Sequence, residues 1–294
     1  MGKTVYDLLA AAAKFDGSPT VNEDVAAVLK KHGHSSGKTA GCTNTVMAFF
    51  YTIGAIDIIG GYENNNAPLM KSGKKAGLWK SGSKDILPGD IVIFGRNGKS
   101  NHTELALGAD LDLSGNYTVN GVTGCYRRKA SSHSSDILGR IRPEYSPMPE
   151  MNNLQVAVVA ADVVLGVYGT GSERDRFLSV FGKENAKKIK AEAKKAEGSE
   201  GHAIFILAVS AIAGFMGKDK YRKKRLGNRA QKVQDKIDSI YRLRGKTVDG
   251  AAKLVLEDKF STKAIRELLL RFCGYSPEKV QARVNLLVDQ KNGK

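Results

Sequence analysis

Several shortages in this sequence of 294 residues exclude whole classes of protein. Three cysteines are too few, and an odd number, for a disulfide framework, so at least one thiol is free. The longest apolar run, Ala203 to Met216, is shorter than the roughly 20 residues with which a helix crosses a bilayer, and we expect a buried helix there. The first 18 residues lack the apolar core of a secretory signal. We expect no membrane span, no signal peptide, and a protein made in a cytoplasm.

Acidic residues are also scarce relative to basic ones. There are 46 Lys and Arg against 30 Asp and Glu, a formal net charge of +16. The excess is +4 in residues 1–146 (17 against 13) and +12 in residues 147–294 (29 against 17). The second half is therefore the one that favours polyanions. The apolar fraction of 41% is that of an ordinary globular protein, and the length favours two or more domains.

Proline is rare too, but three of the seven prolines lie within residues 143–151, PEYSPMPEM, which is the best candidate for a domain boundary. Before it we predict helices near residues 4–14 and 21–31 and a third helix starting at Cys42. Short β-type runs follow, separated by Gly, Asn and Ser turns: DIVIFG, HTELALG, YTVNG and GCYRRK. Helices first and an antiparallel sheet afterwards predict an α+β domain over residues 1–146.

The chain after this boundary is predicted to be helical and to contain an internal repeat. Segments 163–182, 211–228 and 255–275 align, each with a Gly or Asp followed after eight residues by an Arg and after four more by a Leu. Tandem helical units of this size usually serve multivalent attachment. We predict a linker over residues 147–152 and repeats over residues 153–196, 201–243 and 247–290.

Cys42 is the strongest candidate nucleophile. It follows Gly41 at the start of a predicted helix, where backbone N–H groups and the helix dipole favour a thiolate. Val46, Phe49, Phe50 and Ile53 would give that helix one buried face. Taken alone, however, Cys42 is at least as well explained as a small buried packing residue.

His102 favours the catalytic interpretation. The stretch LPGDIVIFGRNGKSNHTELALG predicts a turn, a strand, and a loop that delivers His102 to the start of a second strand, where it could reach a thiolate. A third residue should orient the imidazole. Glu104 lies two residues further, on the same face of the sheet, and Asn120 would lie near His102 if the strand YTVN pairs beside HTELALG. No calcium-type loop of spaced carboxylates precedes Cys42, so we expect no metal and no cofactor.

These motifs resemble those of CHAP domains, the cysteine, histidine-dependent amidohydrolases and peptidases of phage endolysins, within the papain-like NlpC superfamily. The resemblance rests on the order Cys42 at a helix start, LPGDIVIF, NHTELALG, TVNGVTG, YRR and ILGRIRPEY. It implies a papain-like fold, with helices packed on an antiparallel sheet. The third catalytic residue stays open between Asn120 and Glu104, because Asn120 stands where the family has Glu.

The repeats resemble the Cpl-seven (CW-seven) wall-binding repeats of phage lysins, most closely in GYSPEKVQARVNLL. This resemblance implies three small all-α units that bind peptidoglycan through the repeated arginines and the aromatic or Met positions beside the glycines. The residues are Arg174, Arg222, Arg266, Tyr168, Met216 and Phe260.

Together the resemblances imply an endolysin, which is a peptidoglycan hydrolase cleaving an amide bond as an N-acetylmuramoyl-L-alanine amidase or an endopeptidase. Its partner would be the wall of a Gram-positive bacterium, reached from the host cytoplasm after release, with no nucleic acid expected. A bacterial autolysin exported by another route is a further possibility. The alternative function is a non-catalytic protein that binds cell walls or nucleic acid, with a structural Cys42.

Overall fold

In the computed structural model, the described residues are 3–18, 21–35, 41–119, 121–217, 219–257 and 263–293. They form two compact units that interleave along the chain. The first comprises Met1–Glu150, Leu165–Lys187 and Gly214–Arg222, and the second comprises Met151–Val164, Lys188–Ala213 and Lys223–Lys294. The fold is mixed α+β with an antiparallel sheet, which confirms the predicted class at this level.

The first unit begins with the helices that the sequence predicts. Helix α1 (Val5–Ala13) starts with a capping box, in which the side chain of Thr4 accepts from the Asp7 amide and Asp7 accepts from the Thr4 amide. Helix α2 (Val21–Lys31) and helix α3 (Cys42–Thr52) follow, and helix α4 (Asn66–Lys75) precedes the sheet. Helices α1, α2 and α3 fall where they were predicted from the sequence, whereas α4 was not predicted.

Helix α3 is the central helix of this unit. Its residues 43–50 are all buried, and Val46, Phe49 and Phe50 have no exposed surface, as predicted. Ile53, which follows the helix, is only partly buried against the core. Helix α3 packs against α1, α2 and the sheet, so its first turn is held in place from several sides.

The sheet has six antiparallel strands in the order β1-β6-β2-β3-β4-β5. Four of them cover the predicted β-type runs. The strands β1 and β6 were not predicted, because one is three residues long and the other five, too short for a period-two pattern. The strands are β1 (Trp79–Ser81), β2 (Ile91–Arg96), β3 (Lys99–Gly108), β4 (Leu111–Val119), β5 (Val122–Arg128) and β6 (Ile137–Ile141).

The pairing on which the Asn120 candidate depended is present for only part of the strand. The segment Tyr117–Val119 belongs to β4, the neighbour of β3, and its paired residues are 122–124 of β5. Strand β3 pairs instead with the first half of β4, with Glu104 opposite Ser114. A register shift in β4 between Ser114 and Tyr117 separates the two halves of the strand. Asn120 itself lies outside the described residues.

The predicted LPGD turn is present and is tied to the end of the sheet. The Asp90 carboxylate accepts from the Leu87 amide at 2.8 Å and closes the turn. It also receives two bonds from the Arg142 guanidinium, at 2.9 and 2.7 Å, and lies 3.3 Å from the Arg140 Nε. Asp90 is buried, so these cations neutralise a carboxylate that is removed from water.

The remaining helices of the described residues follow the sheet in the chain. The apolar run starting at Ala203 lies in α8, whose residues 203–210 are buried, as predicted. Among the described residues, no helix is both long and apolar enough to cross a membrane. The helices are α5 (Asn153–Val164), α6 (Gly171–Leu178), α7 (Lys183–Glu197), α8 (Glu200–Ile212), α9 (Asp219–Leu226), α10 (Ala230–Tyr241), α11 (Val248–Glu257), α12 (Lys263–Phe272) and α13 (Pro277–Lys291).

Candidate functional site

Cys42 is the first residue of α3, as the sequence predicts. Gly41, in an extended conformation, is the N-cap and supplies no side-chain hydrogen bond to the helix end. The first backbone N–H groups of the helix therefore have no capping side chain from that residue. The Cys42 thiol is partly buried, donates to Asn66 Oδ1 at 3.6 Å, and interacts with the His102 side chain, which lowers the pKa of the thiol. The fold thus brings together the two residues that were predicted to react as a pair.

His102 is held by two polar side chains of the sheet. Its Nε2 atom lies 2.8 Å from Glu104 Oε1 and 2.9 Å from Ser114 Oγ. Glu104 lies on the same face of β3, two residues further along, and Ser114 is opposite Glu104 on β4. With Nε2 engaged by these oxygens, Nδ1 is the ring nitrogen left for the thiol. Glu104 is therefore the residue that orients the imidazole in the described structure.

The two reacting groups shift each other's proton affinity. Burial raises the pKa of the Cys42 thiol, but the hydrogen bond and charge of His102 and backbone hydrogen bonds at Thr103 and Thr43 bring that pKa below its ordinary value. Burial lowers the pKa of His102, yet its bonds to Cys42 and Glu104 raise the pKa to about 9. These shifts favour a thiolate–imidazolium pair at neutral pH.

Glu104 sits in a buried group of charges. Its carboxylate has no exposed surface and also accepts from Arg128 Nη1 at 2.9 Å. Burial raises the pKa of the neighbouring Asp112 carboxyl well above its ordinary value, and the charge of Glu104 adds to this rise. The Cys42 thiolate, the His102 imidazolium, the Glu104 carboxylate and the Arg128 guanidinium sum to zero charge, which reduces the cost of burying these four groups.

The arrangement supports nucleophilic chemistry at a carbonyl group. A thiolate is the reactive form of cysteine, and an imidazolium beside it can protonate a leaving group. A carboxylate behind the ring holds one tautomer and stabilises the imidazolium. Among the described residues, no cluster of three or more His, Cys, Asp or Glu side chains is placed to hold a metal ion.

The residues predicted to bind a wall polymer lie in different settings. Arg174 donates through Nε to the Gly169 carbonyl at 3.0 Å and is partly buried, as is Arg222. Tyr168 and Met216 are 2% and 0% exposed and pack in the interior. Their burial argues against the direct polymer contact predicted for them. Phe260 lies outside the described residues.

Arg266 borders an open cavity of about 330 Å³ in the second unit. Its Nη1 atom donates to Gln281 Oε1 on α13 at 2.9 Å, and Gln281 donates in turn to Asn285 at 2.8 Å. The cavity therefore combines one cation, carboxylates and amides with the apolar side chains of Leu270, Pro277 and Ala282, which is a mixed lining. Its walls are formed by Arg266, Glu267, Leu270, Pro277, Glu278, Gln281, Ala282 and Asn285.

Sequence reasoning missed four residues of the Cys42 site. Arg128 belongs to the YRR motif, which was identified from the sequence without a role being assigned to Arg128. Ser114, Asp112 and Asn66 are single polar residues without a motif, and only the strand register and the position of α4 bring them to the site.

Comparisons of the chain with protein-family models, with curated proteins and with solved structures find no match in any of the three. The functional conclusion therefore depends on the geometry of the Cys42 site and on the motifs in the sequence.

Proposed function

We propose that this protein is a peptidoglycan hydrolase that cleaves an amide bond by a cysteine mechanism. The observation that carries the proposal is the geometry of His102: its Nε2 lies 2.8 Å from the buried Glu104, and its ring interacts with Cys42 at a helix start and lowers the pKa of that thiol. A packing cysteine does not need a histidine held in one orientation by a buried carboxylate. The free Cys125 illustrates the contrast, because it is fully buried and its pKa is raised well above the ordinary value.

The reaction would proceed by acyl transfer. The Cys42 thiolate attacks the carbonyl carbon, a C–S bond forms, and the carbonyl π electrons move to oxygen. His102, protonated below about pH 9, gives its proton to the leaving amine as the C–N bond breaks. The neutral imidazole then takes a proton from water, whose oxygen attacks the thioester and releases the acid and the thiolate. Glu104 stabilises the imidazolium in both steps.

The CHAP-like assignment is part of this proposal. A helix starting at the cysteine and packed on an antiparallel sheet that carries the histidine is the arrangement that the resemblance implies. Glu104 takes the orienting role that the sequence left open. The substrate would be the stem peptide, or the lactyl-amide that joins it to the glycan, so that the enzyme is an amidase or an endopeptidase.

The second half of the chain would attach the enzyme to the wall. The helices α6, α9 and α12, of eight, eight and ten residues, each carry one of the repeated arginines, and this recurrence along the chain supports the proposed wall-binding repeats. The cavity beside Arg266 is the clearest candidate for a ligand site among them. In this proposal the protein acts as an endolysin on Gram-positive walls after release from the host cytoplasm.

Replacing Cys42 tests the catalytic assignment. We expect Cys42→Ala to lose lysis of purified Gram-positive walls, followed as a fall in turbidity, by a factor of at least 10³. Cys273→Ala removes another free thiol and should lyse walls like the parent. Equal lysis by Cys42→Ala and the parent would refute Cys42 as the nucleophile, and a parent that lyses no walls would favour the non-catalytic binding function. Mass spectrometry of the released fragments distinguishes cleavage of the lactyl-amide from a cut within the peptide.

A further inference from the structure

Asn66 is the first residue of α4 and lies directly beside the nucleophile. Its Oδ1 atom is 3.6 Å from Cys42 Sγ. The same oxygen accepts from the hydroxyl of Thr43 at 2.6 Å and from that of Thr103 at 2.5 Å. Thr43 follows Cys42 on α3, and Thr103 follows His102 on β3. The amide is therefore fixed between the two elements that carry the reacting pair.

The nitrogen of this amide has no such partners. Within the described parts of the chain, no group accepts a hydrogen bond from Asn66 Nδ2, although the residue as a whole is only 7% exposed. A carboxamide nitrogen carries two N–H donors. Two hydroxyls that hold the oxygen of a planar amide also fix the direction of those donors. Asn66 thus offers an oriented, unused donor on the same amide whose oxygen contacts the Cys42 sulfur.

We propose that Asn66 is a catalytic residue whose Nδ2 donates to the substrate carbonyl oxygen as it becomes an oxyanion. The inference rests on the proposed function, since it requires Cys42 to attack a carbonyl carbon. When the C–S bond forms, the π electrons move to oxygen, and a donor held in advance stabilises that charge without having to reorganise. The donor is no longer needed once the C–N bond breaks and the carbonyl reforms.

Two reactions of Cys42 separate this role from a merely structural one. Iodoacetamide alkylates Cys42 by direct displacement of iodide: the S–C bond forms as the C–I bond breaks, and no oxyanion is formed. The ester p-nitrophenyl acetate acylates the same sulfur through a tetrahedral oxyanion and releases p-nitrophenolate. The full-length chain is modified and then digested, and mass spectrometry measures both products on the peptide that contains Cys42. Both reactions need the Cys42 thiolate. The ratio of the acylation rate to the alkylation rate at one pH therefore does not depend on the fraction of Cys42 that is ionised.

Two variants remove the donor in different ways. Asn66→Asp keeps an oxygen for Thr43 and Thr103 but has no N–H, and Asn66→Ala removes the whole amide. We expect the ratio to fall by about 10² in both, the cost of losing one oxyanion donor. Asn64→Ala, which removes an exposed amide two residues before Asn66, is the matched control and should keep the parent ratio.

A ratio within threefold of the parent in either folded variant would overturn the proposal, as would a parent whose Cys42 is alkylated but not acylated. If Asn66→Ala loses its cooperative melting transition, the result for Asn66→Asp decides. Failure of the proposed function is a separate outcome: a parent that acylates Cys42 with p-nitrophenyl acetate but releases nothing from peptidoglycan refutes the substrate and leaves the role of Asn66 intact.

Discussion

His102 Nε2 lies 2.8 Å from Glu104 Oε1, so β3 supplies both the histidine and the carboxylate that orients it. Residues two apart on a strand point to the same face, and this spacing alone places the pair together. The neighbouring strand adds Ser114 Oγ at 2.9 Å from the same ring nitrogen. The imidazole is thus fixed on one side by the sheet, which leaves its other nitrogen for Cys42 on α3.

Glu104→Gln should separate the shape of this contact from its charge. The amide keeps the size of the side chain but removes the charge that raises the pKa of His102. We expect turnover of peptidoglycan to fall on the order of 10²–10⁴-fold. The alkaline limb of the pH profile, near 9 in the parent, should move to lower pH.

Ser114→Ala is the matched control for Glu104→Gln, since it removes a neutral bond to the same ring nitrogen. We expect a fall in turnover of about tenfold or less, with the alkaline limb unchanged. An unchanged pH profile in Glu104→Gln would contradict the role given to this carboxylate.

The pH dependence of Cys42 should differ between alkylation and turnover. Alkylation by iodoacetamide needs only the thiolate, so its rate should rise through the lowered pKa of Cys42 and stay high above pH 9. Turnover also needs the proton of His102, so it should fall as that group titrates near pH 9. Rates of both reactions measured between pH 5 and 10 give the two profiles.

His102→Ala should raise the pKa of Cys42, because burial remains while the imidazolium is lost. We expect alkylation of Cys42 at pH 7 to slow at least tenfold and to recover at higher pH. Cys273 in the same sample is an internal reference, since its pKa is raised by its own burial. Equal rates for Cys42 in His102→Ala and the parent would contradict the ion pair.

Gly115→Ala tests how closely the sheet supports the first turn of α3. A Cβ atom at Gly115 would stand 2.1 Å from Oγ1 of Thr45, which is fully buried. Relieving this overlap requires α3 or β4 to shift, so we expect a loss of about 1–3 kcal/mol of unfolding free energy and slower alkylation of Cys42. Denaturant unfolding and the alkylation rate measure the two effects.

Gly201→Ala is the control for Gly115→Ala. A Cβ at this position in α8 meets only Ser199 Oγ, at 3.9 Å. Alanine is also the better helix former, so the unfolding free energy should stay the same or rise slightly. A parent-like stability for Gly115→Ala would show that the helix adapts without cost.

Asp90→Ala should be among the most destabilising single changes in the first unit. It leaves Arg140 and Arg142 without their shared carboxylate and opens the LPGD turn. Breaking a buried ion pair by removing one partner costs about 3–5 kcal/mol. Asp136→Ala, which breaks the pair with the exposed Arg96, should leave the unfolding free energy nearly unchanged. Similar losses in both variants would contradict this assignment.

Arg266→Ala should weaken attachment to the wall. Arg266 is the cation of the cavity in the second unit, and its loss also frees Gln281. We expect at least a fivefold weaker co-sedimentation with purified peptidoglycan at moderate salt. Arg242→Ala, an exposed arginine with the same change in charge, should bind like the parent. Equal weakening in both would point to non-specific charge attraction and would favour the nucleic-acid alternative.

Local sequence determined the elements of the catalytic unit. The apolar periodicity of Val46, Phe49 and Phe50 predicts a helix that begins at Cys42, and the alternation in HTELALG predicts the strand that carries His102. The Glu104 contact was also accessible from sequence, because a spacing of two on a strand fixes a shared face. These inferences hold because they depend on backbone geometry within a single element.

Tertiary structure decided what those elements bring together. The register of β4 places Ser114 rather than Tyr117–Val119 beside β3, and it depends on a shift within a strand that has no local sequence signal. The position of Asn66 beside Cys42 depends on the packing of α4. The burial of Tyr168 and Met216 likewise follows from packing, because a short sequence motif does not indicate which of its side chains are buried against other elements. Contacts between distant segments are set by the sum of many weak packing terms, and no single stretch of this sequence encodes them.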